Sequence, residues 1–215
     1  MFDLAGEELL VFWIMAAIFG ITTVIFTLLS FRSGANEFLS FVDILVAFIT
    51  TISYVLMALG FLVVTSGFGE PVYWSRWLFY MASCSLLTVS VTVVLKQTHS
   101  ITLAKIPILT MLVMFCGFLA AFITSIERWW FFAFSSIAYI ALLITLFKGM
   151  PREGMNSQLM WFIIIFWSLF PLVFLLAPTG FGIITTFYAV LFYAILDVIT
   201  KIIYGLIILF RVKEK

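Results

Sequence analysis

The sequence predicts an all-α membrane protein, a bundle of seven transmembrane helices, and three observations carry the prediction. Hydrophobic residues make up 65% of the 215-residue chain and charged residues only 10%. With a mean hydropathy of +1.28, that much apolar surface cannot be hidden inside a soluble globule. Apolar stretches recur at 9–31, 39–65, 72–96, 102–124, 128–149, 158–179 and 182–211, each near or above the ~20 residues that a bilayer crossing needs. Short connections between them predict one compact domain over residues 1–215 in the cell membrane, with the lipid bilayer as its first partner.

The first stretch follows Asp3, Glu7 and Glu8 instead of a basic segment, so it is expected to be a membrane helix and not a cleaved leader. The second carries Asp43 about one turn from its boundary and Tyr54 three turns deeper. In the third, Arg76, Phe79, Tyr80, Ser83, Leu87 and Ser90 recur at three- and four-residue steps and share one stripe about 21 Å long. Such a stripe can be interhelical hydrogen bonding alone, since serines act as packing glue in membranes. Arg76 differs, because a guanidinium at this depth needs a carboxylate or a water-filled cavity. Asp43 lies close enough to the interface to be simply hydrated or to work. The fifth span opens on Trp129-Trp130, and the sixth places Trp167, Phe170, Pro171 and Phe174 within about two turns. Aromatics around a proline in a membrane helix are usually packing.

Orientation follows from the basic residues. Arg32, Lys96, Lys105, Lys148, Arg152, Arg211, Lys213 and Lys215 fall at one side and Arg128 at the other, which predicts an outside N-terminus and a cytoplasmic C-terminus. Of the 11 basic residues Arg76 and Lys201 remain for the bundle interior, and of the 10 acids Asp43 and Asp197 fall within spans. A formal charge of +1 gives no support for nucleic-acid binding. Cys84 and Cys116 sit in different spans and read as buried thiols, and the single histidine, His99, has no neighbours at metal-ligand spacing. No phosphate loop or nucleophile elbow is present, so neither a metal site nor enzyme chemistry is expected.

The final span holds the most informative pair. Lys201 is an ammonium in an otherwise apolar helix, and Asp197 lies one turn earlier on the same face. A lysine in bilayer hydrocarbon is costly unless a partner or a chemical job keeps it there. A structural salt bridge is one reading. The other is a nucleophile, because apolar burial disfavours the ammonium charge and leaves an amine able to condense with an aldehyde. The resulting iminium needs an anion, and Asp197 is placed to be that counterion.

Taken together, Asp197-x-x-x-Lys201, Trp167-Ser-Leu-Phe-Pro171, Trp129-Trp130 and Pro71-Val-Tyr-Trp-Ser-Arg76 in a seven-span chain resemble the microbial rhodopsins. The resemblance implies all-trans retinal held on Lys201 as a protonated Schiff base, with Asp197 as counterion. It also implies that Trp130, Trp167, Pro171 and Phe174 contact the chromophore, with Phe170, Tyr54 and Thr200 completing the pocket, and that Arg76 belongs to the extracellular half-channel. Phe170 stands where many members have a tyrosine bonded to the aspartate, so Asp197 is expected to rely on Tyr54, Tyr80, water or Arg76.

Within the family, outward proton pumps carry an aspartate three residues after that arginine, where this chain has Phe79. The run Arg76-x-x-Phe79-Tyr80-x-x-Ser83-Cys84 is similar to the schizorhodopsins, which with the xenorhodopsins are inward proton pumps. Their cytoplasmic glutamate is replaced here by Ser90, and Asp43 on the neighbouring helix is expected to supply the missing carboxyl. The resemblance further implies a homo-oligomer, a trimer. A photosensor acting through a separate partner is the alternative. A small seven-helix sugar transporter is a third reading, but it would show two three-helix repeats and would not explain Lys201.

Overall fold

The structure is a computed structural model and describes residues 6–31, 36–65, 69–96, 100–148 and 155–211. Of the positions used above, Asp3, Arg32, His99, Arg152, Lys213 and Lys215 lie outside the described residues. The elements run α1 (Gly6–Ser30), α2 (Glu37–Ala58), β1 (Val63–Thr65), β2 (Pro71–Tyr73), α3 (Trp74–Val94), α4 (Ser100–Phe122), α5 (Arg128–Phe147), α6 (Met155–Leu176), α7 (Thr186–Asp197), a π-helical stretch Val198–Ile203, and α8 (Tyr204–Arg211). The last three form one continuous rod, so the described residues make 7 helices long and apolar enough to cross a membrane. On α1 the exposed residues Leu10, Ile14, Ile18, Ile21, Ile25 and Leu28 form a lipid-facing stripe, while Phe12, Met15, Phe19 and Phe26 turn inward.

Two departures from the expected spans have local causes. The second span ends at Ala58, not near residue 65, because Gly60 and Leu62 adopt left-handed backbone with φ of 69° and 57°. The β-branched Val63-Val64-Thr65 then pairs antiparallel with Pro71-Val72-Tyr73, so the connection between α2 and α3 is a small hairpin. The last span starts at Thr186, because the chain first closes α6. There Gly180 packs so tightly on the carbonyls of Phe174 and Leu175 that a Cβ would lie 2.4 Å from both oxygens. The π-helical stretch around Lys201 is a further feature that spacing alone did not predict. It widens the helix where the lysine leaves it, and such insertions recur at functional positions.

Inside the bundle, Phe12, Phe19, Tyr54, Met57 and Tyr73 pack near the hairpin end. At the other end Leu39, Val42, Val46, Leu87, Val91, Tyr204 and Ile208 form a second apolar layer. The candidate site lies between these layers.

Candidate functional site

Lys201 Nζ lies 2.8 Å from Asp197 Oδ1, with both side chains buried, so the i, i+4 pair read from the sequence is formed. The second carboxylate oxygen accepts a hydrogen bond from Tyr54 Oη at 2.6 Å and another from Tyr80 Oη. Tyr54 comes from α2 and Tyr80 from α3, so three elements converge on one carboxylate. Lys201 Nζ also sits 3.7 Å from the centroid of the Tyr80 ring. A buried charge pair survives only when its remaining valences are met, and the two phenols meet them for Asp197.

Of the partners expected for Asp197, Tyr54 and Tyr80 are seated on its carboxylate, and no ion pair joins it to Arg76. The Arg76 guanidinium instead stacks on Tyr193, 4.9 Å from the ring centroid, with Nε and Nη2 buried and without a hydrogen-bond partner among the described residues. The reason is geometric: Tyr80, one turn further along α3, already reaches the carboxylate, and Arg76 sits about 6 Å closer to the hairpin.

A cavity opens beside Lys201. From α6 it is lined by Trp167, Phe170, Pro171 and Phe174, and from the last span by Thr200. Cys84 and Tyr80 of α3 border it as well. The lining is almost wholly apolar and aromatic, with one lysine at its floor, and so suits a long conjugated hydrocarbon joined to an amine. The fit extends to α4, where Gly117 lets the Trp77 ring lie flat on the helix; a Cβ there would be 2.6 Å from that ring.

Other expected contacts are not made. Trp130 is 67% exposed and does not line the cavity. The inward face of α5 is Phe132, Ser135, Ser136, Tyr139 and Leu142. Trp130 is two residues from Phe132 and so lies roughly opposite, with Phe134, Ile137 and Ile144 on the lipid side. Tyr54 likewise does not line the cavity but serves Asp197. Phe79 is half-buried at the edge of the α3 stripe and is not among the lining residues. Ser83 is buried with its hydroxyl unpaired among the described residues.

Towards the far end from the hairpin, Ser90 Oγ and Tyr204 Oη lie 3.0 Å apart. Asp43 is buried beside them, its two oxygens without a hydrogen-bond partner among the described residues. Gly205, next to Tyr204, adjoins it: a Cβ at that position would be in contact with Asp43 Cγ at 3.5 Å. Asp43, Ser90 and Tyr204 therefore form one polar cluster from three helices. Tyr193 and Tyr204 were not singled out from the sequence, yet the signal was present. Tyr193 precedes Asp197 by four residues and Tyr204 follows Lys201 by three, which sets both on the face of the ion pair.

Comparison with known proteins agrees with this geometry. The family described as bacteriorhodopsin-like protein matches residues 7–214. Sensory rhodopsin-2 of Natronomonas pharaonis is 26% identical over 208 residues, covering 92% of this chain and 86% of that protein. Bacteriorhodopsin of Halobacterium salinarum is 29% identical over 173 residues, covering 73% and 64%. Among solved structures, schizorhodopsin 4 superposes with a TM-score of 0.83 at 34% identity, covering 93% of this chain and 97% of that one. The thermophilic rhodopsin from Rubrobacter xylanophilus superposes at 0.86 with 22% identity and 94% of each chain covered, a likeness of fold.

Proposed function

This chain belongs to the bacteriorhodopsin-like protein family, multi-pass membrane proteins that carry a retinal chromophore and work as light-driven pumps or sensors, and on that premise we propose that it is an inward proton pump using all-trans retinal on Lys201. One observation carries the direction. Asp197 is engaged by Lys201, Tyr54 and Tyr80, and the α3 sequence Trp74–Val94 contains no acid. A proton leaving Lys201 Nζ therefore meets no spare carboxylate on α3 beside the pair, whereas Asp43 waits on the side away from the hairpin. The 34% identity to schizorhodopsin 4 supports the same reading.

Retinal, when bound, supplies light absorption and a bond isomerisation. The protein's own residues do the rest. Asp197 holds the positive charge at Lys201 Nζ, and the two phenols spread its negative charge, which keeps it a poor proton acceptor. Asp43, with Ser90 and Tyr204, acts as acceptor or as organiser of release water on the side we take as cytoplasmic. That assignment uses Lys96, Lys105 and Lys148, which flank this end, with Arg128 at the other. Leu87 and Val46 keep the segment between Lys201 and the cluster dry, so that the proton crosses only when the site is driven.

The test is external pH of unbuffered bacterial cells expressing the chain with all-trans retinal. Illumination is expected to raise the pH, and a protonophore to abolish the rise. A fall in pH would refute the direction assigned from Phe79 and Asp197. A coloured protein with no pH change would favour a photosensor signalling through a partner, the reading to which the match with sensory rhodopsin-2 over 92% of the chain lends weight.

A further inference from the structure

Resting on the inward-pump reading, we propose that Glu70 is the carboxyl that collects protons from the outside medium and feeds them to the Lys201 site through a second cavity. That cavity lies on the hairpin side and shares Arg76, Trp77, Phe174 and Tyr193 with the first. Those four side chains are the partition between the two spaces. At its other end the second cavity is bordered by Glu70, the residue before β2, and Thr186, the first residue of α7. Glu70 is half-buried, so one side of its carboxyl meets the medium and the other meets the cavity. Thr186 Oγ1 donates to Glu70 Oε2 at 2.5 Å, which fixes the carboxyl at the mouth.

The partition has the chemistry of a valve. Arg76 is buried, stacked on Tyr193, and presents Nε and Nη2 without a hydrogen-bond partner among the described residues. Buried donors of that kind are met by ordered water. A cationic group across the path lets water approach while opposing free passage of a proton. A carboxylate at the mouth offsets that barrier, because it binds a proton from the medium, releases it to cavity water and returns to its anionic form. The other nearby polar groups are Tyr73, paired with Glu8, and Thr179. Glu8 is buried in the Tyr73 pair and does not line the cavity, so Glu70 is the carboxyl placed to exchange with the medium.

Two measurements test this. In the first, Ala189, a buried residue lining the second cavity, is replaced by cysteine, and the retinal-free protein in right-side-out spheroplasts is treated with a membrane-impermeant maleimide. Labelling above the parent chain is expected. Labelling only in inverted vesicles, or on neither side, would overturn the cavity as an outside route. In the second, flash photolysis follows the retinal-loaded protein. Glu70→Gln is expected to slow recovery of the Lys201 proton by about tenfold or more, with the release phase and absorption maximum unchanged, Glu70→Asp close to the parent, and external azide restoring the rate. Unchanged recovery in Glu70→Gln, or a slowed release phase, would overturn the role of Glu70. A parent protein that moves no protons in light would sink the pump reading and this role with it, while the labelling result would still stand as a statement about the cavity.

Discussion

At the scale of single residues the decisive object is the Asp197 carboxylate, and its properties follow from what touches it. Tyr54 and Tyr80 donate to the same oxygen, and Lys201 pairs with the other. Replacing either tyrosine by phenylalanine removes a charge-assisted hydrogen bond in a dry site, at a cost of about 1.5–3 kcal/mol. The lost donor also concentrates negative charge beside Lys201 Nζ. The retinal-loaded Tyr80→Phe protein is therefore expected to melt at lower temperature and to absorb further to the blue; an absorption maximum that stays put would show that the phenol does not tune the carboxylate. Thr200 lines the cavity next to Lys201 with its hydroxyl turned to the Leu196 carbonyl at 2.7 Å. The hydroxyl dipole is expected to shift absorption to the blue relative to alanine, so Thr200→Ala should absorb to the red, and a spectrum identical to the parent would remove the claim. Much of this site was legible as residue types at helical spacing, since Asp197 and Lys201 pair and Trp167, Phe170, Pro171, Phe174 and Thr200 line one cavity beside them. Trp130 was misplaced because the resemblance put it on the chromophore, whereas the inward face of α5 runs through Phe132, Ser135 and Tyr139, and Trp130 falls on the other side of that helix.

Among the elements, α8 is held at an unusually close approach to α1 and α2. A Cβ on Gly205 would lie 2.6 Å from the Phe26 ring, which must then move, and in ordinary contact with Asp43 Cγ at 3.5 Å, so that the further methyls of a larger side chain would crowd the carboxyl. Gly205→Val is expected to cost about 1–3 kcal/mol through overpacking and to displace the Asp43 carboxyl from the Ser90–Tyr204 pair. Thermal unfolding and proton-release kinetics read the two effects separately, and a variant that keeps both at parental values would show that this contact is loose. The seven helices themselves were legible because runs of apolar residues are long relative to the bilayer. The hairpin and the π-helical stretch were not. Both depend on a few backbone angles, such as Leu62 at φ 57°, that apolar residues do not advertise. The break between α6 and α7 has the same origin, in a carbonyl contact that only Gly180 tolerates.

For the whole molecule the question is how a bundle that is nearly symmetric in apolar content moves a proton one way. The two ends differ in their buried charges. The hairpin end has a cation, Arg76, and carboxylates that each hold a partner, Asp197 with Lys201, Glu8 with Tyr73 and Glu70 with Thr186, whereas the opposite end has Asp43 with neither oxygen hydrogen-bonded among the described residues. Ser90 faces that carboxyl's cluster through Tyr204 at 3.0 Å, so a carboxyl brought in on α3 would occupy the same polar pocket as the one on α2. If position is what matters, the acid can be moved between helices. Asp43→Asn is expected to slow proton release from Lys201 several-fold, and Asp43→Asn combined with Ser90→Glu is expected to recover most of the lost rate, with recovery of the proton from the hairpin side unaltered in both. Transient absorption together with a pH-indicator dye measures the two phases. Release that is equally fast in Asp43→Asn would mean that the proton reaches bulk water without a carboxyl and that direction is set wholly at the hairpin end. A slowed single variant that Ser90→Glu fails to rescue would mean that Asp43 acts through its contact with α8 and not as a proton site.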